Sequence, residues 1–78
     1  MVQVITVAPV QGGWAVEHDI AGNAMVFRSG AKAEAAAREL GGTLAREGEP
    51  AEIHIYLRDG SLGGRFVCPP VEALAGVF

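Results

Sequence analysis

The side chains of this 78-residue chain that most readily carry chemistry are His18 and His54, the single Cys68, and the hydroxyls of Ser29 and Ser61. A closed metal centre needs three or four converging ligands. The strand alternation described below sends His18 and His54 to opposite sides of a sheet, so no metal site is expected within one subunit; two His54 side chains could meet only across a symmetric dimer. Nucleophilic catalysis needs a serine or cysteine beside a base and a group that orients it. No spacing in the chain supplies that set. Ser29 reads as a helix cap, Ser61 as a turn residue, and Cys68 as a small side chain before Pro69-Pro70 ends a strand. The run Gly60-Ser61-Leu62-Gly63-Gly64 superficially suggests a phosphate cradle, but such loops lead into a helix whose amides bind the anion, and here a strand follows. The expectation is no catalytic residue, no metal and no cofactor.

Two aromatic residues could instead make contacts. Trp14 begins a strand on the side inferred to face the core, which favours packing over the stacking of a base. Tyr56 falls on the polar side of its strand, opposite Gly63, where its ring would either cover the glycine or meet a partner. Tyr56, His54, Arg58 and Arg65 together outline a sheet surface of the kind that stacks single-stranded bases, so nucleic-acid binding is the alternative function. Charge weighs against it. The chain has six basic and nine acidic residues and a net charge of −3, with a pI near 5.2, and its cations are scattered among acids.

The elements that must position these residues follow from pattern. Val2 to Pro9 is β-branched and apolar, Gly12-Gly13 supplies a turn, and Trp14 to Ile20 follows, so the first twenty residues read as a hairpin. Gly22-Asn23 supplies a second turn before Ala24 to Arg28, giving a three-stranded meander. From Ala31 to about Glu47, Ala33, Ala36, Ala37, Leu40 and Leu44 recur at three- and four-residue steps, the mark of a helix. Ser29 caps it, Glu34 and Arg38 pair across one turn, and Gly48 with Pro50 stops it. Gly41-Gly42 should bend or fray its last turns, at about 1 kcal/mol each relative to alanine. Reading Asp59-Gly60 as a two-residue turn then pairs Tyr56 with Gly63, His54 with Arg65 and Ile53 with Phe66. That register puts Ile53, Ile55, Leu57, Leu62 and Phe66 on one side and Glu52, His54, Tyr56, Arg58, Ser61 and Arg65 on the other. Gly64, bare on the apolar side, would admit a helix backbone.

The fold class is therefore α+β: an antiparallel sheet in the order β-β-β-α-β-β with one helix on one face. Residues 1–68 form the compact domain and residues 69–78 an apolar tail, either docked or exchanged between subunits. A chain of this size buries only about 60% of its surface, so the core is thin. One helix covers one face of a sheet. The first hairpin turns Ile5, Val7, Pro9, Trp14, Val16, His18 and Ile20 to the helix, together with Met25 and Phe27. The opposite face still carries Val2, Val4, Thr6, Ala8, Ala15 and Val26, with Glu17, Asp19 and Arg28 as its polar members. Such a face should meet another surface, and Val2, Val4, Thr6, His54, Tyr56, Arg58 and Arg65 are the expected contact residues.

Pro9, Gly12-Gly13-Trp14-Ala15-Val16, the alanine-rich helix from Glu34 through Leu40, and the strand Glu52 to Ile55 leading into Asp59-Gly60 together resemble a small bacterial family catalogued as domain of unknown function 2188. The resemblance covers roughly residues 2 to 67. It implies a compact stranded domain with one helix in a bacterial cytoplasm, and no activity. The lack of a long apolar stretch, of an early positive charge before Arg28, and of a second cysteine leads to the same cytoplasmic expectation. The function expected is a non-catalytic homodimeric interaction or scaffold module, with an unidentified protein partner as a further possibility and no membrane contact.

Overall fold

The structure, a computed structural model, describes residues 2–18 and 24–70. Its elements are β1 (Gln3–Val10), β2 (Gly13–His18), β3 (Ala24–Phe27), α1 (Gly30–Arg46), β4 (Ala51–Tyr56) and β5 (Leu62–Cys68). The turn expected at Gly22-Asn23 and the tail from residue 71 onward lie outside the described residues.

The five strands lie in the order β3-β2-β1-β4-β5. The sheet is mixed, not antiparallel throughout as the sequence suggested, because β1 and β4 run parallel. Chain direction explains the difference. Two antiparallel connections make β3 run the same way as β1, and a single crossover helix returns the chain so that β4 runs that way again. Docked on either edge of the meander, β4 is then parallel to its neighbour.

Both ends of α1 are built as the pattern demands. Ser29 sits in extended geometry and its Oγ accepts from the amide of Lys32 at 3.1 Å. At the other end Gly48 takes φ +83°. Its amide bonds the carbonyl of Ala45 at 3.0 Å, while the amide of Glu49 reaches that of Leu44 at 2.9 Å. That pair of bonds is a Schellman motif, which needs a left-handed residue best supplied by glycine. Arg38 donates to Glu34 at 2.8 Å, as the spacing predicts.

The helix is continuous through Gly41-Gly42, so the expected fraying does not occur, and packing explains why. The buried stripe is Ala33, Ala37, Gly41 and Ala45, one small residue per turn. It seats on Ile5, Val7, Val16 and Ile53, all essentially inaccessible to solvent. Ala36 lies beside this stripe, half-buried. Small side chains let the helix axis approach the sheet closely, and Gly41 marks the tightest point: a Cβ there would lie 2.8 Å from Cys68 Sγ and 3.4 Å from Ile53 Cδ1. The close approach thus comes from a helix glycine over β5. Gly64, expected to admit the helix, faces only Phe66 and Ile55.

The second hairpin differs from its expected form at the tip. The Gly60 amide donates to the Leu57 carbonyl at 2.9 Å and the Leu57 amide to the Ser61 carbonyl at 2.8 Å. Gly60 has φ +88° while Asp59 is not left-handed. The loop is therefore three residues, Arg58-Asp59-Gly60, a type I turn followed by a left-handed glycine. Asp59 stabilises it by accepting from both the amide and the hydroxyl of Ser61, at 2.9 and 2.6 Å. An irregularity between Ile55 and Tyr56 then absorbs one residue, Gly63. The two changes cancel, so Ile53–Phe66, His54–Arg65 and Ile55–Gly64 pair as expected. Above the bulge they do not: Tyr56 opposes Leu62, and Leu62 joins the face away from the helix. Gly63 is covered by Leu57, whose Cδ2 would lie 2.6 Å from an added Cβ, not by the ring of Tyr56.

The two adjacent helix glycines should respond oppositely to alanine. Gly42 has only Arg46 Nη1 near its missing Cβ, at 3.5 Å, so Gly42→Ala should stabilise by about 0.5–1 kcal/mol. Gly41→Ala should destabilise by about 1–3 kcal/mol through overpacking, and Cys68→Ala in the same chain should recover most of that loss. Urea unfolding of the single and double variants measures both.

Candidate interaction surface

The face of the sheet away from α1 carries the candidate site. Its middle row runs across all five strands as Ala24, Glu17, Thr6, His54 and Arg65. Toward one end Val26, Ala15 and Ala8 stand beside Tyr56 and Leu62; toward the other, Val4, Glu52 and Val67 are in register. The rim is apolar and open. Val26 is 64%, Val67 61% and Leu62 50% exposed.

Of the residues expected to make contacts, Val4, Thr6, His54 and Tyr56 lie on this face half-buried, and Arg65 lies on it exposed. Val2, just before β1, is exposed. Arg58 does not belong. It sits in the β4–β5 loop with its guanidinium 5.7 Å from the centroid of the Trp14 ring, on the helix side, because the three-residue loop turns it away from the ladder. Val67 and Leu62 were missed. Continuing the alternation from Arg65 would have found Val67. Leu62 would have required reading Arg58-Asp59-Gly60 as a three-residue loop.

A small polar network stands among these apolar side chains. Glu52 Oε1 accepts from His54 Nε2 at 3.1 Å and from Arg65 Nε at 2.9 Å. Since a carboxylate only accepts, His54 carries its proton on Nε2. The Arg65 hydrogen bond, helped by that of His54, holds the Glu52 carboxyl below its ordinary value near 4.5. Asp59 is likewise held low by its two bonds from Ser61.

The other candidates are structural. Trp14 packs against the core cluster from the helix side, and its ring lies 3.2 Å from where a Cβ on Gly30 would stand. Gly13 is held beneath β3 so closely that any Cβ would meet the Phe27 carbonyl oxygen. His18 Nε2 donates to Gln3 Oε1 at 2.8 Å, on the opposite side of the sheet from His54. Cys68 is half-buried under Gly41. Among the described residues no group of three or more His, Cys, Asp or Glu side chains is placed to hold a metal, and no helix is long and apolar enough to cross a membrane. A hollow of about 310 Å³ between α1 and β3 is lined by Met25, Ala36, Glu39, Leu40 and Thr43. A second of about 290 Å³ is lined by Pro9, Val10, Gln11 and Arg58. In the first, the Thr43 hydroxyl donates to the backbone carbonyl of Glu39 at 3.0 Å.

Compared with protein-family models, with curated proteins and with solved structures, the chain finds no match.

Because its folded-state affinity for a proton is reduced, Glu52 contributes stability that is complete above its unfolded value near 4.5. That contribution disappears as pH falls through the lower folded value. Glu52→Gln should therefore be less stable than the parent at pH 7, and the gap in urea midpoint should narrow progressively as pH falls below about 4.5. Asp59 titrates in both proteins and cancels in the comparison.

Proposed function

We propose that this protein is a non-catalytic interaction module that self-associates through the face of the sheet away from α1. The observation that carries the reading is apolar exposure on that face, with Val26, Val67 and Leu62 each at least half exposed. One helix shelters only one side of a five-stranded sheet, and leaving the other side's valines and leucine in water forfeits about 25 cal/mol for each Å² of apolar surface. A face five strands wide at about 4.8 Å spacing and about six residues long spans roughly 24 by 20 Å. Two such faces bury on the order of 1,000 Å², near the lower limit for a specific interface, so the dimer is a weak one. The resemblance to the bacterial domain of unknown function 2188 agrees with a small stranded domain with one helix and points to no particular activity, and a cytoplasmic setting fits the single free thiol.

Oligonucleotide binding is supported less well. Arg58 lies off the face, the charge of Arg65 is balanced there by Glu52, and Glu17 stands in the same row. A protein that neutralises phosphates would need cations there.

Sedimentation equilibrium from micromolar to several hundred micromolar should show an 8.1 kDa monomer passing reversibly to a dimer. Val26→Asp and Val67→Asp should hold it monomeric throughout that range with circular dichroism unchanged. A parent chain that stays monomeric at the highest concentration refutes the reading.

A further inference from the structure

Resting on that reading, we infer the geometry of association: two copies pack face to face about a two-fold axis running roughly along β1. The charge pattern of the middle row selects it. Glu17 on β2 lies one strand to one side of β1, while His54 on β4 and Arg65 on β5 lie one and two strands to the other. Glu17 is exposed and, among the described residues, has no ion-pair partner. Arg65 contacts Glu52 through Nε with its side chain 57% exposed, which leaves its two terminal nitrogens for a second carboxylate.

Two sheets stacked face to face in the aligned manner, with strand directions within about 30° of each other, are related by an in-plane two-fold axis close either to the strand direction or to the perpendicular across the strands. An axis across the strands lays each strand on its own copy, so Glu17 would meet Glu17 and Arg65 would meet Arg65. Like charges directly opposed are unfavourable. An axis along β1 exchanges the two sides of the sheet. It lays β2 on the partner's β4 and β3 on the partner's β5, so that Glu17 of each copy faces the His54–Arg65 side of the other.

Shape agrees with charge. β1 is the third of five strands, so this axis overlaps every strand of one sheet with a strand of the other. Ala15, small and buried, comes to lie over the partner's Tyr56, and exposed Val26 over the partner's Leu62. The thin centre of each face, Thr6 and Ala8, lies on the axis and lets the two sheets approach.

Charge reversal tests the axis separately from association itself. Glu17→Arg and Arg65→Glu, each alone, should raise the dimer dissociation constant about tenfold or more, since each creates two like-charged contacts per dimer. Mixing the two variants in equal amounts should return a heterodimer within about threefold of the parent's affinity, because every cross-copy pair is then matched again. Thermal unfolding at low concentration establishes that each variant folds, and Glu17→Arg, at a position with no ion pair among the described residues, is the arm least open to a folding defect. Variants that dimerise as tightly as the parent, or a mixture no tighter than the variants alone, overturn the axis. A parent that never dimerises overturns the functional reading beneath it.

Discussion

The seating of one alanine-and-glycine stripe on a patch of isoleucine and valine is the contact on which this small domain depends. Ala33, Ala37, Gly41 and Ala45 bring the helix close enough for Ile5, Val7, Val16 and Ile53 to be sealed from water. Around that contact, larger side chains close the edges: Leu40, Leu44, Trp14 and Phe27 pack against the cluster, and Arg38 spreads its guanidinium over the Phe66 ring at 4.4 Å. A close helix is also a narrow one. It spends its length on one face, and a chain of this size has no second helix among its described residues for the other.

The consequences divide the sheet into two different surfaces. On the helix side, the central apolar residues have partners within the chain, Met25 and Phe66 remain partly exposed at its edges, and polar residues such as His18 and Gln3 bond each other. On the other side the apolar residues remain open at the rim, while the middle is organised by Glu52, which gathers His54 and Arg65 onto one carboxylate oxygen. A solvated sheet face can be polar throughout. This one instead combines open valines with the lone acid Glu17 on one side of its central strand and the Glu52–His54–Arg65 cluster on the other, the asymmetry on which the proposed self-association rests.

The second hairpin shows how sequence reasoning can reach a correct register through an incorrect turn. Asp59-Gly60 fits either a two-residue loop or the end of a three-residue one. Below Tyr56 the Gly63 bulge compensates the longer loop, so His54 and Arg65 face each other in either case. Above it the difference is real: Arg58 swings to Trp14 and Leu62 moves to the open face. The choice rests on Asp59, which binds Ser61 locally and keeps an ordinary φ, leaving only Gly60 to take the left-handed conformation.

Local chemistry sufficed for what depends on neighbours in the chain. The strand alternation, the Ser29 cap, the Gly48 stop, the Glu34–Arg38 pair and the opposed faces of His18 and His54 all follow from spacings of a few residues, because periods of 2 and 3.6 are properties of the backbone. Chain direction, two antiparallel turns followed by one crossover helix, also makes β4 run with β1. Only the tertiary structure decided that β4 takes the edge beside β1 and that Gly41 rather than Gly64 is the point of closest approach. Both depend on surfaces far apart in sequence that meet only when the helix packs on the sheet.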